Sequence, residues 1–206
     1  MNTRLEFSSY RFGGRDEFCL KAGTEHHIQI LLIPPLFDEM NRMRRVLADV
    51  MRLLVAKGIG SILPDLPGTN ESLFPGQDAN LDIWRDALTV CQSTNPVAEY
   101  VASFRGGCLI DLIPSVKAHW RLSPVKGNTL LRTMMRTRIA SDKEAGVVTT
   151  MAELTKIADA GPIELAGNII GSSMFRQLQE AKFETPAGMR TARLKADSQP
   201  SDIKLP

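Results

Sequence analysis

The sequence predicts an α/β fold with a mostly parallel β-sheet and helices on both of its faces. Three observations carry this prediction. Strand and helix patterns alternate from residue 28 to residue 122. The run 28–33 (IQILLI) is largely β-branched and apolar, as in a strand that is buried on both faces. The stretch 97–113 has the pattern of a buried strand that turns sharply into a helix.

Each element of the first 125 residues has its own sequence signal. Two short antiparallel strands are predicted at 5–7 and 17–21, with a turn at Gly13 and Gly14. Apolar residues recur at helical spacing from 37 to 57, and Gly58 is a suitable helix end. The elements predicted after that helix are a strand at 61–63, a helix at 81–90, a strand at 97–102, a helix at 106–113 and a strand at 116–122.

Beyond Pro124 the pattern is mainly helical and predicts a cap inserted after the strand at 116–122. Thr150 and Glu153 have the spacing of a capping box, which marks the start of one cap helix. The other cap elements are helices at 128–140 and 172–181 and a short strand at 163–166. We divide the chain into an α/β core at 1–125, a helical cap at 126–185, and a possible last strand with a tail at 186–206.

Composition narrows the class of protein. The chain has 43% hydrophobic and 23% charged residues, as in ordinary globular domains, and its net charge of +2 gives no bulk attraction to nucleic acid or membranes. Cys19, Cys91 and Cys108 are scattered without metal-ligand spacing, so we expect free thiols, no metal and no cofactor. We find no signal-peptide pattern and no apolar run that could span a bilayer, so we predict a cytoplasmic protein.

The strand, turn and helix at 97–113 have the layout of a nucleophile elbow, in which small residues flank a hydrolase nucleophile at a sharp turn. Ser103 and Gly107 are the small residues here, and Arg105 occupies the position of the nucleophile. A guanidinium stays protonated in proteins and cannot attack a carbonyl. The scaffold therefore indicates hydrolase chemistry, whereas its central residue indicates binding.

Further segments carry a resemblance to a known family. These segments are 34–45, the loop 65–72 (DLPGTNES), the elbow at 103–107, and the cap stretches 149–154 and 163–167. Together they resemble the α/β-hydrolase fold, and more narrowly the hydrolase-like proteins associated with exosortase A systems, which are encoded beside exopolysaccharide functions. The resemblance implies carboxylic-ester or thioester hydrolysis if the protein is active.

The same resemblance implies features that this sequence lacks. The family fold continues for two more strands, and the last of them delivers the histidine of the catalytic triad. The histidines of this chain are His26, His27 and His119, all upstream of that position. The sequence therefore predicts a fold that is truncated at its C-terminal end and has no complete Ser-His-Asp triad.

Arg105 predicts a ligand-binding site at the elbow. Its guanidinium, the N–H of Gly106 at the start of the following helix, and the N–H groups of Leu36 and Phe37 would contact a carboxylate, phosphate or sulfate. Leu36 is the earliest donor in its loop because the two prolines before it have no N–H. The segment 117–145 carries seven basic and two acidic residues. These residues would make the cleft positive if the helix covers the elbow, and otherwise they form a solvated helix face, which is the commoner arrangement.

The sequence leaves alternatives open at this site. Arg105 could instead pair with an internal carboxylate such as Asp65 or Glu71. For function, one hypothesis is a catalytically degenerate protein that binds a small anionic or acyl-type ligand in the former active-site cleft. A second is an active ester or thioester hydrolase whose nucleophile or base is unconventional or comes from a partner subunit. A third is an interaction module that forms a homo-oligomer through an exposed sheet edge.

Overall fold

A computed structural model describes residues 4–94, 96–114, 116–184 and 189–192 of the chain. The strands in these residues are β1 (Glu6–Phe12), β2 (Arg15–Ala22), β3 (Ile28–Ile33), β4 (Ile59–Pro64), β5 (Tyr100–Phe104), β6 (Ala118–Leu122), β7 (Ile163–Leu165), β8 (Asn168–Ile170) and β9 (Arg190–Ala192). The α-helices are α1 (Asp38–Val55), α2 (Leu81–Gln92), α3 (Gly127–Glu144), α4 (Met151–Ala160) and α5 (Ser172–Glu180).

Seven of these strands form one mixed sheet. Their spatial order is β1-β2-β4-β3-β5-β6-β9. The hairpin β1–β2 is antiparallel and joins β4 in antiparallel register, whereas the pairs from β4 through β3, β5 and β6 to β9 are all parallel. The predicted mostly parallel sheet is confirmed.

Helices cover the sheet on both faces, which confirms the three-layer architecture. On one face α1 packs through Leu47, Met51 and Val55 against apolar side chains of the strands. On the other face α2, α3 and α5 enclose a larger core that includes Trp84 and Phe175. Because successive residues of a buried strand point to opposite faces, the central strands supply both cores and read as continuous apolar runs.

The cap region consists of α3, α4, the hairpin β7–β8 and α5. The Thr150 side chain accepts from the N–H of Glu153, and the Glu153 carboxylate accepts from the N–H of Thr150, which confirms the predicted capping box. The strand predicted near Ala192 is present as β9, parallel to β6. The rest of that predicted strand and the tail lie outside the described residues, and the domain boundaries remain predictions.

The prediction of a helix at 106–113 is wrong. The chain forms only a short 3-10 turn at Arg105–Leu109 before it becomes irregular. Two adjacent glycines, Gly106 and Gly107, cost helix stability because they have more backbone freedom to lose. Asp111 is then drawn into a buried ion pair, described below, which fixes the chain in a non-helical course. A full helix dipole is therefore missing at the elbow.

A buried acid lies on the second strand. Glu17 is 0% exposed, and its carboxylate accepts no well-formed hydrogen bond from the described part of the chain, although the Ser72 hydroxyl and the charge of Arg15 partly offset its burial. Burial raises the pKa of Glu17 above its ordinary value because the charged form loses its hydration. An ionised Glu17 therefore destabilises the fold at neutral pH.

No helix of the described residues has the length and apolarity to cross a membrane.

We predict that Glu17→Gln raises the melting temperature at pH 7.5 by about 2–4 °C, equivalent to about 1 kcal/mol for a chain of this size. Because the pKa of Glu17 is raised in the folded state, its contribution to the free energy of unfolding is most favourable below its pKa in the unfolded state. That contribution is lost as the pH rises through its pKa in the folded state. The gain should therefore shrink toward zero near pH 4. Thermal unfolding of the wild type and the variant between pH 4 and pH 7.5 measures this difference in melting temperature. A melting temperature of Glu17→Gln equal to or below that of the wild type at pH 7.5 would contradict the prediction.

Candidate functional site

The turn after β5 has the tight backbone of a nucleophile elbow. Arg105, the apex residue, has a φ of 54°, a left-handed conformation that a non-glycine residue adopts at a cost. Gly107 lies directly against β3, and a Cβ atom there would collide with the carbonyl oxygen of Pro34. A Cβ at Gly106 would lie 2.8 Å from Leu130 Cδ1 and 3.2 Å from Leu36 Cγ. Glycines are thus required for the close approach of the turn to its neighbours.

The loop between β3 and α1 lies beside this turn. Leu36 is buried and contacts the elbow at Gly106, so the structure brings together these two predicted site residues. Phe37 follows with a φ of 60° and stands at the start of α1. Its ring packs on Trp84 with 5.6 Å between the ring centroids. All four predicted ligand contacts therefore belong to one region, above the carboxyl ends of β3 and β5.

Arg105 forms an ion pair that the sequence reading did not identify. Its Nε donates to Glu39 Oε1 at 2.9 Å, and the two side chains are 23% and 32% exposed. The sequence left open an ion pair of Arg105 with an internal carboxylate, but Asp65 and Glu71 were the expected partners. Glu39 stands in the first turn of α1, next to Met40. No sequence signal singled it out, because an acid in the first turn of a helix is common.

Asp65 has other partners. Its Oδ1 accepts from Asn70 Nδ2 at 2.7 Å, and its Oδ2 lies 3.8 Å from Arg44 Nη2. Burial raises the pKa of Asp65 above its ordinary value. Tyr10 donates its hydroxyl to the backbone carbonyl of Asp65 at 2.7 Å. Asp65 is thus held at the end of β4, away from the elbow.

A buried polar network lies directly beneath the elbow. Ser103 donates to Asp111 Oδ2 at 2.5 Å, and Arg121 donates to both oxygens of the same carboxylate, at 2.7 and 2.5 Å. The three side chains are almost completely buried. Arg121 also donates to the backbone carbonyl of Glu184, and its guanidinium lies over the ring of Phe183. This network connects β5, the elbow, β6 and the chain that returns from the cap.

The network assigns structural roles to two candidate nucleophiles. Ser103 is fully buried and already bonded to Asp111. Cys108 Sγ lies 3.3 Å from Ser103 Oγ, and burial raises the pKa of this thiol to about 12. A thiol with that pKa is protonated at neutral pH and is a poor nucleophile. The sequence shows Arg121 only as one of the basic residues of the segment 117–145, and it did not reveal its partner Asp111.

The histidines lie away from the elbow. His119 is paired with Val101 in the register of β5 and β6, four residues before Arg105. At about 3.3 Å per residue this separates it from the apex by about 13 Å along the strand. His26 and His27 precede β3, at the opposite end of the strands. None of the three histidines of this chain is therefore placed to act as a base at the apex.

A cleft opens between the loops at the carboxyl ends of β3 and β4 and the cap hairpin. We call this cavity, of about 460 Å³, the front cleft. Phe37, Met40 and Asn41 line one side of it, and Asn168 and Met174 line another. Its remaining walls come from the loop 68–79 and from Trp84. Arg105 is not among the lining residues, but its partner Glu39 stands in the same helical turn as Met40 and Asn41.

The basic residues of the segment 117–145 do not face the front cleft. Lys117 pairs with Glu99, and Arg121 with the buried Asp111. Arg138 pairs with acidic side chains of the cap. Lys126, Arg132, Arg136 and Lys143 are exposed. The exposed members fit the solvated helix face that the sequence left as an alternative, and the described lining residues of the front cleft carry no charge. The described residues also contain no group of three His, Cys, Asp or Glu side chains that could hold a metal ion.

Comparisons with known proteins support the fold. No protein-family model matches the chain, and no curated protein is similar to it in sequence. Among solved structures, it is similar to Est1E from Butyrivibrio proteoclasticus, solved with ferulic acid bound, with a TM-score of 0.56 and 15% identity over 85% of this chain and 71% of that one. It is also similar to mouse alpha/beta hydrolase domain-containing protein 10, with a TM-score of 0.55 and 15% identity over 91% of this chain and 77% of that one.

A putative hydrolase from Agrobacterium vitis S4 is similar at a TM-score of 0.53, with 14% identity over 85% of this chain and 71% of that chain. The chain spans 40% of the length of an epoxide hydrolase from Vigna radiata that it also matches. At such low identities the comparisons show the architecture alone. The protein has an α/β-hydrolase fold.

We predict that Asp111→Ala destabilises the protein by about 3–5 kcal/mol, because it leaves the Arg121 guanidinium buried without a counter-charge. The double variant Asp111→Leu with Arg121→Met should recover most of that loss, since it removes both buried charges. Urea unfolding of the wild type and both variants measures the free energies. A double variant as unstable as Asp111→Ala would contradict this assignment.

Proposed function

We propose that this protein is a catalytically degenerate member of the α/β-hydrolase fold that binds a small anionic or acyl-type ligand in the former active-site cleft. Arg105 supplies the charge, and the backbone N–H groups of Gly106, Leu36 and Phe37 surround it. The observation that carries the proposal is a permanently charged side chain at the apex of the elbow, where a hydrolase holds its nucleophile.

The backbone of the site supports a functional role. Arg105 and Phe37 both have positive φ angles. Strain of this kind costs about 1–3 kcal/mol for each residue and concentrates at binding and catalytic sites. Glycine or asparagine would adopt the same backbone at lower cost. A strained arginine therefore argues that the guanidinium itself has a use.

Glu39 defines how a ligand would bind. Both members of the Arg105–Glu39 pair are reached by solvent, and ion pairs of this kind contribute little to stability. A carboxylate or acyl oxygen can bind beside Glu39 or replace it without a large loss of fold stability. Glu39 then acts as an internal competitor that keeps affinity moderate and favours ligands with a good geometric match to the guanidinium.

The hydrolase alternative needs groups that this chain does not bring to the elbow. The apex residue cannot be a nucleophile, Ser103 is buried, and the histidines lie elsewhere. An active ester or thioester hydrolase would need a nucleophile or base from a partner subunit. Turnover of p-nitrophenyl acetate that is lost in Ser103→Ala and retained in Arg105→Ala would favour this alternative over binding alone.

The wider context of the proposal concerns subgroup, compartment and assembly. We place the protein with the hydrolase-like proteins of exosortase A systems and in the cytoplasm, on the resemblance and composition of the sequence. In the part of the chain that the structure describes, the sheet ends at the short strand β9, whose outer edge is the candidate surface for a homo-oligomer. Sedimentation as a monomer at every concentration would remove the oligomer from the proposal.

We predict that sulfate and acetate raise the melting temperature of the wild-type protein and that Arg105→Ala abolishes the specific part of this rise. Saturation to about 100 times the dissociation constant gives about 2.7 kcal/mol, which corresponds to about 5–10 °C for a chain of this size. Glu39→Gln should strengthen the effect severalfold, because it removes the acid that competes for the guanidinium. The melting temperatures of the wild type, Arg105→Ala and Glu39→Gln are measured as a function of anion concentration.

Arg52→Ala is the matched control for that experiment. Arg52 is an exposed arginine near the end of α1 that pairs with Asp49 in the same helix, and it lies thirteen residues, about 20 Å along the helix, beyond Glu39. The control also corrects for the general stabilisation that sulfate gives to any folded protein. An anion response in Arg105→Ala equal to that of Arg52→Ala would overturn the proposed site.

A further inference from the structure

A second cavity adjoins the front cleft. We call this space, of about 260 Å³, the rear cavity; it lies between α1 and the strands β1, β2 and β4. Its apolar walls include Phe7, Phe18, Leu20, Leu47 and Leu63. Met40 and Asn70 line both the front cleft and the rear cavity, so these two side chains form the partition between them.

The two cavities differ in chemistry. Amide and hydroxyl groups such as those of Asn41, Thr69 and Asn168 line the front cleft, together with aromatic rings. The rear cavity is mainly apolar, and its polar residues lie around Asp65, which Asn70 and Arg44 already engage. A polar compartment beside an apolar one matches a ligand that has a polar head and an apolar chain.

The partition between the cavities consists in part of a flexible side chain. Met40 is an unbranched side chain with three rotatable bonds, and methionine fits readily to different apolar shapes. Its sulfur lies 3.9 Å from Asn70 Nδ2, a weak contact that costs little to break. Glu39, the partner of Arg105, is the residue before Met40. The elbow, the front cleft and the rear cavity therefore meet along the first turn of α1.

We propose that the rear cavity receives the alkyl chain of an acyl ligand whose carboxyl or carbonyl group lies at Arg105. This inference rests on the proposed function and adds its ligand class, a medium-chain acyl compound. An apolar cavity of about 150 Å³ is enough to hold benzene, so the rear cavity has room for an alkyl chain. Met40 turns aside to admit the chain.

Two exposed aromatic residues support this ligand class. Phe7 is 84% exposed and Phe18 is 45% exposed, although both line the rear cavity. They lie on neighbouring strands of the hairpin β1–β2, at the edge of the sheet. Water contact of such large apolar side chains is unfavourable, and an alkyl chain in the cavity would cover part of their surface.

The test compares the affinities of acetate, butyrate, hexanoate and octanoate, measured by titration calorimetry below their micellar concentrations. In the wild-type protein each added CH₂ beyond butyrate should tighten binding by about two- to fourfold, as expected for its transfer from water to an apolar site. Leu20→Trp fills the rear cavity and should remove this chain-length dependence while acetate binding remains. Phe18→Ser, at a half-exposed position, is a second variant that should weaken the dependence if Leu20→Trp does not fold.

Leu53→Ser is the matched control, because Leu53 is 68% exposed on α1 and lines neither cavity. Equal affinity for acetate and octanoate in the wild type would overturn the chain site and leave the head site at Arg105 intact. A chain-length dependence that persists unchanged in both Leu20→Trp and Phe18→Ser would also overturn the chain site and leave the head site at Arg105 intact. Failure of the wild type to bind any of the four carboxylates would overturn both proposals.

Discussion

The bidentate pairing of Arg121 with Asp111 is the interaction on which the site depends. One carboxylate accepts from the guanidinium and from Ser103, so it fixes the end of β5, the chain after the elbow and β6 relative to one another. Buried charges are tolerated only when each is matched in charge and in hydrogen bonds. This requirement holds the elbow in a single position. The strained apex at Arg105 can persist because the segments on both sides of it are fixed.

Close packing adds a second constraint. The elbow touches the backbone of β3 at Gly107, while Leu36 and Leu130 close over Gly106. The first turn of α1 lies beside the site, and Glu39, Met40 and Asn41 stand there in succession. The α/β-hydrolase fold thus retains the form of a catalytic centre here, with a cationic, acid-paired side chain at its apex. The binding function proposed above would use that geometry without the proton transfers that hydrolysis requires.

The sequence predicted the sheet, the two helical layers and the capping box because these depend on local periodicity and on short-range hydrogen bonds. It also predicted the elbow from the small residues around Arg105. It did not predict the loss of the helix at 106–113, which depends on a distant partner of Asp111. The pairing of Arg105 with Glu39 was missed for a similar reason, since the two residues are 66 positions apart and only the folded chain brings them together.

The bond from Arg121 to the carbonyl of Glu184 spans 63 positions of the chain. The intervening residues include the whole of α3, α4 and α5. The entropy of closing this loop is lost before the bond can form, so a long excursion of the chain is tied back to the sheet through a buried guanidinium. The cap helices are therefore anchored at both of their ends, by β6 before them and by Arg121 after them.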